Sequence, residues 1–177
     1  MHDIQPTERV SLELHHAISQ HSYTEARMLQ NHQYKEWLET IVADDIHFWM
    51  PVYERRYRKD KRPAPGPDDM AIYSDDYSEV KRRVDRMYTG TVWMEDPASD
   101  IKYLLTNIEA FHTEQADLFK VYTNVAYIRH RQQTERTEHV GSREDLLRKV
   151  GDKFELVRRK IILDARVTVD KNLYFFG

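Results

Sequence analysis

Four β-rich runs, about Ile101–Thr113, Leu118–Arg131, Arg136–Lys149 and Lys153–Leu163, follow one another with only short polar segments between them. These are Glu114-Gln115-Ala116-Asp117, Gln132–Glu135 and Val150-Gly151-Asp152. Connections this short join antiparallel neighbours, because reaching a parallel neighbour takes a crossover of roughly a dozen residues or more. Phe119, Val121, Thr123, Val125 and Tyr127 alternate with the period of a half-buried strand. Residues 101–163 are therefore predicted to form a long antiparallel meander.

The first half has a different period. Val10, Leu14, Ile18, Ala26 and Leu29 recur at helical steps, which predicts a helix from Val10 to His32 with Ser11 as its N-cap. Tyr34, Trp37, Leu38, Ile41 and Val42 form the apolar stripe of a second, shorter helix. Ile46-His47-Phe48-Trp49-Met50-Pro51 reads as a short strand closed by proline, and Tyr53–Asp69 as a proline-rich loop. A third helix is expected over Asp76–Tyr88, with Asp76 and Glu79 spaced as a capping box and Gly90 as its stop. Trp93–Asp100 reads as a further loop. Helices followed by a meander give an α+β fold with helices packed on one face of the sheet. No internal repeat is visible, and residues 1–177 read as a single domain.

Composition removes several chemistries. The chain has no cysteine, so thiol catalysis, zinc–thiolate sites and iron–sulfur clusters lack their ligands or nucleophile. A formal net charge of −3 opposes nucleic acid as the main partner, since phosphate neutralisation calls for a basic face. Met1–Pro6 has neither a basic start nor an apolar run, and no apolar stretch approaches a membrane span of about 20 residues. A cytoplasmic protein that does not enter membranes is expected.

Three constellations could carry chemistry. Glu13, His16 and His21 have the acid-x2-His-x4-His spacing associated with mononuclear iron, but residues five apart on an ideal helix point about 140° away from each other. His21 is expected to border the core, with His15 and His16 more exposed. The basic run Arg55–Arg62 carries Tyr57 among its charges, yet lies in a loop soon followed by Asp68, Asp69, Asp75 and Asp76, and reads as solvated or docked on an acidic protein. Inside a cone formed by a curved sheet and its helices, Asp45, His47, His112 and His139 could act as general acid or base, and Tyr103 or Tyr122 could orient a substrate. No spacing fixes a role for any of them. With only five glycines there is neither a phosphate-binding loop nor a nucleophile elbow.

Several segments together resemble the β subunits of bacterial aromatic-ring-hydroxylating dioxygenases, of the kind acting on biphenyl, naphthalene, cumene or phenylpropionate. Val10-Ser11-Leu12-Glu13-Leu14 and Tyr23-Thr24-Glu25-Ala26-Arg27-Met28-Leu29 resemble the family's first helix. Asp45-Ile46-His47-Phe48-Trp49-Met50-Pro51 is similar to its aspartate-isoleucine-x-aromatic-x-methionine-proline strand, and Trp93-Met94-Glu95-Asp96-Pro97-Ala98-Ser99 to its tryptophan loop. Val140-Gly141-Ser142-Arg143-Glu144-Asp145-Leu146-Leu147-Arg148, Ile161-Ile162-Leu163-Asp164 and Asn172-Leu173-Tyr174-Phe175-Phe176 resemble later blocks. The likeness runs in order from about residue 10 to 176. It lapses at Asp100-Ile101-Lys102-Tyr103, where family members usually carry arginine, a variable residue, arginine and histidine.

The resemblance implies a cone of the nuclear-transport-factor-like kind and an α3β3 hexamer. The partner α subunit would carry a Rieske 2Fe-2S cluster and a mononuclear Fe(II), with no cofactor, metal or catalytic residue on this chain. Electrons would come from NADH through a reductase and a ferredoxin, and the product would be a cis-dihydrodiol. Trp49, Trp93, Tyr174, Phe175 and Phe176 are the expected interface residues, as large exposed aromatics to be covered by the α subunit and by other β subunits. Two competing readings use the cone itself: a free-standing isomerase or dehydratase, and a binding protein for a small hydrophobic ligand. An obligate partner, or an interior filled by side chains, separates the subunit reading from the isomerase or dehydratase, and a ligand-dependent rise in melting temperature of the isolated chain would favour the binding protein.

Overall fold

Ser11 opens the first helix, α1 (Leu12–Gln30), its hydroxyl accepting the Leu14 backbone N–H at 3.3 Å. Ile18, Ser22, Glu25, Ala26 and Leu29 fall on the buried side of α1, which packs against the sheet and against α2 (Tyr34–Thr40). These elements belong to a computed structural model that describes residues 4–53, 57–66, 69–90, 97–132, 134–165 and 176. Asp76 caps the third helix, α3 (Tyr77–Met87), through the full capping box with Glu79.

The strands are β1 (Val42–Pro51), β2 (Ala71–Asp75), β3 (Asp100–His112), β4 (Leu118–Arg131), β5 (Glu135–Val150) and β6 (Lys153–Leu163). They form one sheet in the order β2-β1-β6-β5-β4-β3. Every pairing is antiparallel except β1 with β6. The four runs of the meander fall within one residue of their expected bounds. Gly151, at φ +61°, occupies the β5–β6 turn, where a left-handed residue lets the strands reverse tightly.

Two differences from the sequence reading have physical reasons. Val42 belongs to β1, where it faces Leu156 of β6, although it also extends the apolar stripe of α2. Both periods bury Val42, and pairing across the sheet decides between them. The short edge strand β2 was not expected; with alternating partial burial and only five residues, it carries too weak a pattern to stand out.

Alternation in β4 turns Phe119, Val121, Thr123, Val125, Tyr127 and Arg129 towards the helices. Register then places Leu147, Asp145, Arg143, Gly141, His139 and Thr137 of β5 beside them on the same face. Gly141 is required there by close approach, because a Cβ at this position would strike the Ile162 carbonyl. The concave face thus combines an apolar core with a row of charged and polar positions.

Candidate functional site

The charged positions converge beneath α1. Arg159 of β6 grips Glu25 of α1 in a bidentate pair, Nη1 to Oε1 at 2.8 Å and Nη2 to Oε2 at 2.7 Å. Its Nε and Nη2 also donate to Asp145 of β5, both at 3.0 Å. Arg143 completes the group, with Nε 2.9 Å from Asp145 and Nη2 3.6 Å from Glu25. The Trp37 indole N–H donates to Glu25 Oε1 at 3.0 Å. All four charged side chains are at most 4% exposed. Two positive and two negative groups balance, which is what permits charges to remain in so dry a place.

The protonation states are locked. Burial alone would raise the Glu25 carboxyl, but Arg159 and Arg143 outweigh it and hold the group well below the usual carboxylate range. Burial opposes charge on Arg159 too, and Asp145 and Glu25 overcome it, so the guanidinium stays protonated. Burial pushes the Tyr103 and Tyr127 phenols up and the His21 imidazole down. Among these groups Glu25 remains an anion, Arg159 a cation, and the phenols and the imidazole neutral at pH 7. None is poised to exchange a proton near neutrality, as general acid–base catalysis demands.

Phe176 fills the space beside this cluster. Its ring centroid lies 5.3 Å from Tyr34 and 5.4 Å from Trp37. The Arg83 guanidinium sits 4.9 Å from that centroid and also covers Tyr73 and Phe48, while pairing with Asp75 at 2.8 Å. The Phe176 carbonyl accepts from Arg159 Nη1 at 3.2 Å, and its N–H donates to the Tyr103 hydroxyl at 3.5 Å. Side chains from α2, α3, β3 and β6 therefore surround one residue. Clefts on this protein include one of about 530 Å³ at the β3 bulge, lined by Asn107, Tyr122, Asn124 and Glu144, and one of about 310 Å³ beside Val10 and His15.

The residues singled out as acid–base candidates do not assemble. Asp45 and His47 lie on the convex face, Asp45 paired with Arg148 and His47 beside Ser74. His112 and His139 face inward but oppose Phe119 and Tyr127, well apart along β4. Tyr103 is on the concave face, and Tyr122 points outward to stack edge-on with Phe111. On α1, His15 reaches the Ile108 carbonyl at 2.9 Å, His16 is exposed, and His21 packs edge-on against Phe154. Among the described residues, no three His, Cys, Asp or Glu side chains are grouped as metal ligands. Of the basic run, Arg55 and Arg56 lie outside the described residues, and Arg62 pairs with Asp60.

The expectation that Trp49 and Phe176 are bare aromatics is corrected. Each is 2% exposed within the chain itself. Trp49 is covered by His47 stacked at 6.3 Å and by Arg158 and Lys160, and its indole N–H has no hydrogen-bond partner among the described residues. Trp93, Tyr174 and Phe175 lie outside the described residues. The charged cluster was missed because its members come from distant segments, each of which reads as ordinary surface charge. One signal was available: Glu25 sits on the apolar stripe of α1, seven positions after Ile18 and four before Leu29.

Solved structures share this architecture. A structure of naphthalene 1,2-dioxygenase with indole bound in its active site matches with a TM-score of 0.84 and 22% identity, covering 95% of this chain and 88% of that one. The β subunit of benzoate 1,2-dioxygenase from Burkholderia mallei matches at 0.68 and 20%, covering 89% and 93%. A protein from Novosphingobium aromaticivorans named for scytalone dehydratase matches at 0.62 and 13%, covering 90% and 91%. The fold is thus the nuclear-transport-factor-like cone, a class that contains enzymes and accessory subunits alike. Within that class the family of ring hydroxylating beta subunits matches residues 24–170, and this chain belongs to it: it is a β subunit of a ring-hydroxylating dioxygenase.

Proposed function

We propose that the chain is the structural, non-catalytic β subunit of an NADH-dependent complex that dihydroxylates aromatic hydrocarbons to cis-dihydrodiols. The observation that carries this reading is the filled interior. Where a free-standing isomerase or dehydratase would keep an open polar pocket, this cone holds a neutralised set of four charges and the Phe176 ring. The chain's residues do not fit a Rieske cluster, because there is no cysteine to supply its thiolates. The cluster and the mononuclear Fe(II) therefore belong to an α subunit in an α3β3 assembly, fed by a ferredoxin and a reductase in the cytoplasm.

The proposed contacts with α and with other β subunits include Trp49, Trp93, Tyr174, Phe175 and Phe176. Trp49 contributes through its indole N–H, which has no partner among the described residues, and the Arg158 and Lys160 side chains that cover it. Phe176 contributes from inside the cone, packed on Tyr34 and Trp37, not as a bare surface. The test is co-expression with the product of the neighbouring α-subunit gene, followed by purification and iron analysis. The expected product is a hexamer with iron and acid-labile sulfide, while the β chain purified alone binds no stoichiometric iron. A free β chain that turns over a substrate unaided would overturn the reading.

A further inference from the structure

We propose that the cone retains a binding site for an aromatic ring attached to a neutral carbonyl group, and that Phe176 occupies it in cis. Four helix and strand elements contribute to it: Tyr34 and Trp37 from α2, Arg83 from α3, Tyr103 from β3 and Arg159 from β6. The rings of Tyr34 and Trp37 and the guanidinium of Arg83 define a slot for one aromatic ring. Arg159 donates to the carbonyl, and the Tyr103 hydroxyl accepts the amide N–H. Both polar groups of the Phe176 backbone are thus received by side chains. A free molecule can make the same contacts.

Charge decides between a carbonyl and a carboxylate. Arg159 already shares its donors with Glu25 and Asp145, and Arg83 is neutralised by Asp75. An added carboxylate would bring a third negative charge to a cluster in which two cations already face two anions, in a place too dry to screen it. A neutral amide or ketone adds no charge. The site therefore favours an aromatic carbonyl compound over the corresponding acid.

The test empties the site and refills it in trans. The chain ending at Phe175, which lacks the ring, the carbonyl and the N–H of Phe176, is melted with and without N-acetyl-L-phenylalaninamide, which supplies all three. At ten times its Kd the amide is expected to raise the Tm of the variant by roughly 4 °C. The wild-type chain, its site already filled, should not shift. N-acetyl-L-phenylalanine, with a free carboxylate, should bind at least about tenfold more weakly, and N-acetyl-L-alaninamide should give no shift. If the shortened chain does not fold, Phe176→Ala, which keeps the backbone contacts and opens only the ring slot, makes the comparison for the ring alone, with the same expected shift over N-acetyl-L-alaninamide. No shift in the variant, or equal shifts in variant and wild type, would overturn the proposal.

Discussion

The two faces of the sheet carry similar side chains under opposite conditions. On the convex face Arg148 pairs with Asp45, the two side chains being 31% and 58% exposed. On the concave face Arg159 pairs with Glu25 at 0% and 3%. Water stabilises the outer charges whether or not they meet, so that pair contributes about 0–1 kcal/mol. The inner charges have only each other, and removing one strands its partners in a dry interior. Ion pairs of one chemical kind are therefore incidental on one face and structural on the other.

Arg159→Met is the strongest challenge to that contrast. It leaves Glu25 and Asp145 facing Arg143 alone, and a loss of about 3–5 kcal/mol is expected from urea denaturation of the assembled protein. Replacing Glu25, Asp145, Arg143 and Arg159 together with apolar residues of similar volume should recover most of that loss. If the quadruple variant is no more stable than the single one, the penalty lies in packing and not in stranded charge. Gly141→Ala probes the same face without touching a charge. Its Cβ has no space before the Ile162 carbonyl, so β5 and β6 must separate locally, for about 1–3 kcal/mol by the same measurement.

Acid acts on the helix-covered face in two steps. Glu25 has a folded-state pKa below its ordinary value of 4.5, so its stabilisation is present above about pH 4.5 and is lost as pH falls through the lower, folded value. The His21 pKa is also lowered, from 6.5, because burial favours the neutral ring. The unfolded chain then binds the extra proton first, so stability declines as pH drops below about 6.5. Denaturation series across this range should show a shallow fall and then a steeper one. His21→Gln should remove the shallow part and leave the steep part in place.

The smallest effects belong to the convex face and to the two inward histidines outside the charged cluster. Arg148→Ala should change stability by less than about 1 kcal/mol. Replacing Asp45, His47, His112 or His139 with alanine should alter turnover per intact hexamer by less than about tenfold, whereas losing a general acid or base costs about a hundredfold or more. A hundredfold loss at one of them, in a complex of full iron content and normal size, would place part of the reaction on this chain.

How much of this was legible in the sequence depended on the range of the interactions. The capping box at Asp76, the Ser11 cap and the strands of the meander rest on neighbours within a few residues, so their signals survive in a single sequence. Glu25 and Arg159 are 134 positions apart, and nothing near either one points to the other. The likeness to β subunits covered Glu25, Arg143 and Asp145 as parts of matching blocks, without indicating that they meet. Phe176 looked like an exposed aromatic because an apolar end of a chain has the same composition whether it lies on a surface or fills a cone. β2 was overlooked since it gains its order from pairing with β1, with Trp49 opposite Ser74, and not from its own five residues.

The parallel pairing of β1 with β6 also sets an order of events during synthesis. β1 is made early, yet one of its two neighbours is the last of the described strands. Until Lys153–Leu163 has left the ribosome, β1 has only β2 beside it and presents an open edge to other chains. The meander β3–β5 can zip through its short turns as it emerges, but the union of early and late halves must wait and is slow by its long sequence separation. A nascent chain stalled before β6 is thus the species most exposed to aggregation, and the one on which a chaperone would act.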